Sequence, residues 1–254
     1  MPGRFIRSWD PSEPIGAIAL IHGLAEHSGR YDHVGRALAD AGYAVRAVDI
    51  RGHGRSEGFP GRVSDVGQWH EDTAAILERT TEAAAGKPTF LLAHSLGSLI
   101  AASFVAALQP DIRGLVLTGF AGLPGPALIE AMSDPDGPSI PPDLICRDAE
   151  IVKAYIEDPL VFHDRVPVEC NAAGMQAAIA ANTGAASITV PVLMAHGEAD
   201  AICDVQGARD FHTGLGSTDK ELIVYEGLYH EVMNEPERDR VLGDIVAWLD
   251  RHAV

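Results

Sequence analysis

Ser95, Asp200 and His230 are the residue types that turn a hydroxyl into a nucleophile, and each follows a mostly apolar run that reads as a β-strand. A serine is a weak nucleophile at neutral pH. It needs an imidazole within hydrogen-bond reach and a carboxylate that holds the imidazole in the right tautomer. Ser95 lies in TFLLAHSLGSL (89–99), where apolar strand formers run into a His-Ser-Leu-Gly turn and then an alanine-rich apolar stretch. That is a buried strand, a tight turn and a helix. The turn lifts the Ser95 hydroxyl off the strand tip and sets the Leu96 N–H at the start of the helix beside it. A lone x-Ser-x-Gly reads more simply as a helix N-cap; the presence of Asp200 and His230 at two further strand ends is what favours the nucleophile.

For the acid, the loop after VPVLMAH (190–196) offers Glu198, Asp200 and Asp204. Asp200 is assigned, because Glu198 lies nearer the strand end and Asp204 nearer the next helix, whose N-terminus favours a carboxylate. For the base, His196 competes with His230 but still lies inside its strand, so it reads as a buried, hydrogen-bonded side chain. A tetrahedral intermediate also needs N–H donors aimed at its oxyanion. Leu96 N–H supplies one; Leu24 N–H, after a sharp turn permitted by Gly23, supplies the other. His22 then reads as structural. His22, His27, His53 and His94 show no metal-ligand spacing, so neither a metal nor any other cofactor is expected.

Alternating strands and helices must position these groups. The expected strands are 4–9, 15–21, 43–49, 90–93, 114–118, 190–196 and 221–225. The expected helices are 31–41, 66–85, 99–108, 205–215 and 236–251. This rhythm predicts a mostly parallel central sheet with helices on both faces, and residues at the carboxyl ends of its strands meet in one crevice. The rhythm breaks near Phe120: residues 120–170 hold eight of the sixteen prolines. Short helices are expected at 127–132, 149–157 and 171–182. The apolar content of this stretch (Leu123, Ile129, Met132, Ile145 and Ile151 among others) suits a cap over a site better than a fully exposed loop. The division expected is a core of 1–119 and 186–254 with a lid over 120–185.

The chain has 254 residues and a formal charge of −17 at pH 7. That length suits one large α/β domain, and that charge repels a nucleic-acid backbone. Three cysteines, Cys146, Cys170 and Cys203, are too few and scattered for a disulfide framework. The N-terminus has no apolar leader and no run is long enough to span a membrane, so the expected location is cytoplasmic, with peripheral membrane contact allowed.

The order Ser95, Asp200, His230 is the nucleophile–acid–base order of α/β-hydrolases. HGLAEHSGRY (22–31), DIRGHGRSEG (49–58), AHSLGS (93–98), HGEADAICD (196–204) and YEGLYHEVMNEPER (225–238) together resemble the monoacylglycerol lipase and lysophospholipase family of serine hydrolases. The resemblance implies an α/β-hydrolase fold with Ser95 as nucleophile, Asp200 as acid, His230 as base and the Leu24 and Leu96 amides as oxyanion hole. It also implies a mobile apolar lid guiding an acyl chain, with Ile129 against the substrate. Glu26 and Arg30 would shape the polar end near the glycerol, and Cys203 matches a cysteine near the active site of some relatives; a small buried core residue is the other reading of Cys203. Ala93 departs from the first glycine of the G-x-S-x-G elbow. The expected activity is cofactor-independent hydrolysis of a small lipid ester by a monomer or homodimer in transient contact with membranes or micelles. A broader carboxylesterase or lysophospholipase shares all this chemistry. A non-catalytic binding module would have no need of the three residues, and dehalogenase or epoxide hydrolase chemistry needs a carboxylate where Ser95 stands.

Overall fold

A computed structural model describes residues 3–59, 61–122, 124–125, 130 and 140–254 of the chain. Seven strands form one sheet: β1 (Ile6–Trp9), β2 (Gly16–Ile21), β3 (Tyr43–Val48), β4 (Thr89–His94), β5 (Gly114–Thr118), β6 (Val192–Gly197) and β7 (Lys220–Tyr225). Their order is β1-β3-β2-β4-β5-β6-β7; β1 pairs antiparallel with β3 and every other pair is parallel. The runs GAIALI, TFLLAH and GLVLT are apolar almost throughout because β2, β4 and β5 are buried on both faces.

Alternate side chains enter two cores. Ala19, Ile21, Leu91, Leu115 and Met194 face one side, where α2 (Val66–Ala84), α3 (Leu96–Leu108) and α6 (Val205–Gly214) pack. Ile18, Leu20, Leu92, Val116 and Leu193 face the other, against α1 (Asp32–Asp40) and α7 (Arg238–His252). The period-two alternation of a strand thus divides one apolar run between two cores.

Between β5 and β6 the chain leaves this pattern. Helices α4 (Ala149–Glu157) and α5 (Val168–Gly184) lie there, and α5 shares the apolar cluster of α3 through Cys170, Ala173, Ala177 and Ala181. The segment is tied to the loops at the strand ends: Phe162 N–H donates to Ala25 O, Glu231 N–H to Ile145 O, and Gly125 N–H to Ile202 O. The expected helix at 127–132 falls outside the described residues, apart from Glu130. No helix among the described residues is long and apolar enough to cross a membrane.

Two helices begin earlier than hydrophobic spacing alone places them. Helix α3 starts directly after Ser95, and α5 starts at Val168 behind Pro167, which occupies the N-cap position. A 3-10 turn, Ser28–Tyr31, precedes α1, and the His27 ring caps it by accepting the Gly29 N–H.

Candidate active site

Ser95 is the hinge between β4 and α3. Its backbone sits at φ 52°, ψ −122°, a conformation that a residue bearing a Cβ adopts only under constraint. The constraint is visible on both sides. Ser95 N–H donates to Thr118 O at 2.9 Å, across to the neighbouring strand. At Gly97, a Cβ would stand 2.5 Å from the backbone oxygens of both Ile21 and His22, so the first turn of α3 is pressed against the end of β2. Ala93 stays in β4, paired with Ile21 and Leu117, and is not among the residues with positive φ. An alanine at the first elbow position therefore introduces no backbone strain.

Three side chains from separate loops meet here, all of them buried. Ser95 Oγ lies 2.8 Å from His230 Nε2, and His230 Nδ1–H donates to Asp200 Oδ2 at 2.7 Å. The other carboxylate oxygen, Asp200 Oδ1, accepts the backbone N–H groups of Ile202 and Cys203 at 2.9 and 2.8 Å. A carboxylate gripped from both ends cannot rotate away from the imidazole.

Burial disfavours charge on this carboxylate, but the His230 ring, with the help of His196, outweighs it and holds Asp200 well below the usual carboxylate range. Burial likewise disfavours an imidazolium at His230, yet Asp200 holds its pKa well above the ordinary value. His94, packed 4.8 Å from the His230 ring, is pushed down to about 4 by burial and by that neighbour. An alcohol, an imidazole and an anchored carboxylate in this order can pass the serine proton to the ring as the oxygen attacks.

The rival candidates are placed elsewhere. Glu198 is exposed, and Asp204 caps α6 by accepting the Gln206 N–H at 2.8 Å. His196 is buried, as its place in the strand suggested, but closer to the chemistry than sequence reasoning assigned. Its Nδ1 accepts the Phe120 N–H, so the proton is on Nε2, which donates to Cys203 O at 3.0 Å and lies 3.2 Å from Asp200 Oδ2. The four histidines weighed as metal ligands are spread over separate hydrogen bonds to Gly23 O, Asp158, Arg51 O and Thr118. Asp200, Cys203 and His230 also group closely, but the two ionisable partners spend their facing atoms on each other.

Leu24 and Leu96 border, with Ser95, a cavity of about 410 Å3. Leu99, Met175, Ile202 and Cys203 continue its wall, while Ser95, Arg165 and Asn171 are its polar members. Its size and apolar lining are those of a small-molecule site. A shallower groove of about 560 Å3 along α4 touches neither Ser95 nor His230. Ile129 lies outside the described residues.

Glu26 and Arg30 are brought together, though not as free groups at the cavity wall. Glu26 Oε1 accepts Gly23 N–H and Tyr31 O–H, each at 2.6 Å, and Oε2 accepts Arg30 Nη1–H at 2.7 Å. Arg30 also grips Glu231 with two parallel bonds of 2.6 and 2.7 Å and packs over the Tyr155 ring. Glu231, Tyr31 and Tyr155 were not singled out from the sequence. The available signal was complementarity between two motifs read separately: a Glu and an Arg four apart in one, and an acid next to His230 in the other.

Residues 12–237 match the family described as serine aminopeptidase, S33 (Hydrolase_4). The chain is 36% identical to a monoacylglycerol lipase of Mycolicibacterium smegmatis, over 96% of this chain and 91% of that one. It is 31% identical to the human monoglyceride lipase, over 97% and 86%. The structure superimposes on that of a monoacylglycerol lipase from Paleococcus ferrophilus with a TM-score of 0.86 and 31% identity, covering 98% and 99% of the two chains.

Proposed function

The chain belongs to the Hydrolase_4 family of α/β-hydrolases, and on that premise we propose that it is a serine hydrolase that cleaves monoacylglycerols to a fatty acid and glycerol. The observation that supports this most is the unbroken run of hydrogen bonds from Ser95 through His230 to Asp200, opening on an apolar cavity. His230 takes the Ser95 proton as Oγ bonds to the ester carbonyl carbon, and the Leu24 and Leu96 amides receive the oxyanion. Collapse breaks the carbon–oxygen bond to glycerol, which leaves with the proton from His230. Water, deprotonated by His230, then attacks the acyl-enzyme, and Ser95 recovers its proton as the fatty acid departs.

The apolar wall suits a hydrocarbon chain better than a peptide, and two relatives named for monoacylglycerol or monoglyceride hydrolysis exceed 30% identity over most of the chain. Residues 120–185 serve as the lid. Val168, Met175 and Ile179, exposed and seven and four residues apart on one face of α5, support transient contact with membranes or micelles. The test is a panel of monoacyl-, diacyl- and triacylglycerols, lysophospholipid and simple esters. Monoacylglycerols should turn over fastest; preference for lysophospholipid or a simple ester, with little turnover of monoacylglycerols, contradicts the substrate class.

A further inference from the structure

Glu26 is where resemblance and geometry part. The resemblance makes it a contact for the glycerol end of a substrate. In the structure its carboxylate is already committed: Gly23 N–H and Tyr31 O–H converge on Oε1 and the Arg30 guanidinium holds Oε2, all within 2.7 Å. The side chain is 3% exposed. The recess it borders beside Ser95, His94 and His230 amounts to about 10 Å3, room for about one water and too little for a triol.

The group that Glu26 holds is the residue before Leu24. Gly23 is fixed at both ends, its N–H by Glu26 and its C=O by His22 Nδ1–H at 2.7 Å. The His22 ring is itself fixed, because its Nε2 accepts Ile50 N–H at 3.1 Å. The peptide clamped at its carbonyl by His22 is the one whose N–H belongs to Leu24. There is little slack, since a Cβ on Gly23 would stand 3.1 Å from Ser95 Cβ. We propose that Glu26 is a positioning residue that fixes the Gly23–Leu24 turn so that Leu24 N–H aims at the oxyanion, rather than a recognition residue for the alcohol. This rests on Leu24 serving as an oxyanion donor in the reaction proposed above.

Replacing Glu26 by methionine removes the acceptor at similar length. It leaves no unpaired charge, because Arg30 keeps its two-point bond to Glu231. The assay compares glycerol monobutyrate with p-nitrophenyl butyrate, which share an acyl group and differ in the alcohol. A misaimed donor slows attack whatever the leaving group, so E26M should lose on the order of ten- to a hundredfold in kcat on both esters, by the same factor and with KM little changed. E26Q keeps an oxygen for the Gly23 N–H and should recover most of that loss on both. A loss confined to glycerol monobutyrate and expressed in KM, in either variant, overturns the inference and returns Glu26 to alcohol recognition; so does unchanged kcat on both esters in E26M. If E26M does not fold, the E26Q comparison alone decides between the roles by the same ratio. Wild-type protein that turns over p-nitrophenyl butyrate but no monoacylglycerol fails the substrate reading, while a kcat loss of E26M on p-nitrophenyl butyrate that E26Q restores still supports the positioning role and unchanged kcat there still overturns it.

Discussion

Ser95 holds a backbone conformation that favours glycine, at φ 52°, and strain of this kind costs on the order of 1–3 kcal/mol. Two variants that both lack the hydroxyl isolate it. Ser95→Gly should melt above Ser95→Ala by about 1 kcal/mol, the strain relief exceeding the extra entropy of an unfolded glycine; equal or reversed stability means the elbow is unstrained. Asp200→Asn keeps the shape but offers the imidazole an amide, and by the triad template kcat should fall about 10⁴-fold. Because Asp200 holds the His230 pKa up and the base must be neutral to act, the residual activity of Asp200→Asn should persist to lower pH than in the wild type. A pH–rate profile whose acid limb stays put or moves up contradicts that link. Asp204→Asn, at a helix cap that asparagine fills about as well, should leave kcat within about twofold, whereas Asp204→Ala should lower stability by about 0.5–2 kcal/mol. At this scale Ser95, Asp200 and His230 were legible because each ends a strand that hydrophobic pattern finds. Glu26 and His196 were named but their bonds were not, and Glu231 was missed: hydrophobic pattern finds elements, whereas the bonds of Glu26 to Gly23 and Arg30, of His196 to Phe120 and Cys203, and of Glu231 to Arg30 and Asn234 join polar groups that carry no periodicity.

The elements matter through their ends. The start of α3 fits against β2 only because residue 97 has no side chain, so Gly97→Ala should be destabilising by about 1–3 kcal/mol or more, since its new methyl meets backbone oxygens that cannot turn aside. A melting curve close to wild type contradicts this packing. Helix α5 supplies one wall of the cavity through Gly174, Met175 and Ala178. Ala178→Trp should fill that space and reduce hydrolysis of long-chain monoacylglycerols far more than that of p-nitrophenyl acetate; an equal loss on both counts against the cavity as the acyl site. The strands were readable as elements because parallel strands buried on both faces are apolar without a break. The start of α5 was obscured because its first residues, Val168-Glu169-Cys170, lack helical spacing and only Pro167 marks the boundary.

For the molecule as a whole, the formal charge is −17, yet the fold also encloses histidines that burial keeps neutral, His53 and His94 foremost. His53 and His94 are pushed down to about 4 by burial, with His22 and His230 respectively as added causes. An unfolded chain takes up those protons near pH 6.5, so this stabilisation is present above that pH and is lost as pH falls towards 4. Glu26, held low by Arg30 against its own burial, adds stability that is lost lower still, as pH falls below its ordinary range. His230, with a raised pKa, works the other way and is stabilising at low pH. In about 1 M salt, where surface charges are screened within about 3 Å, the melting temperature should therefore drop between pH 7 and pH 4; a flat or rising curve contradicts the neutral buried histidines. The same acidic balance that argued against nucleic acid in the sequence says nothing about these groups, because net charge does not reveal which side chains are buried.

The most direct test of the whole account is mass spectrometric mapping of the folded protein after reaction with a serine-reactive fluorophosphonate. A single adduct on Ser95, abolished in Ser95→Ala and strongly slowed in His230→Gln, is the predicted result. Folded protein that takes up no label, or that carries it on another residue and keeps it in Ser95→Ala, would contradict the claim that Ser95 is the activated nucleophile.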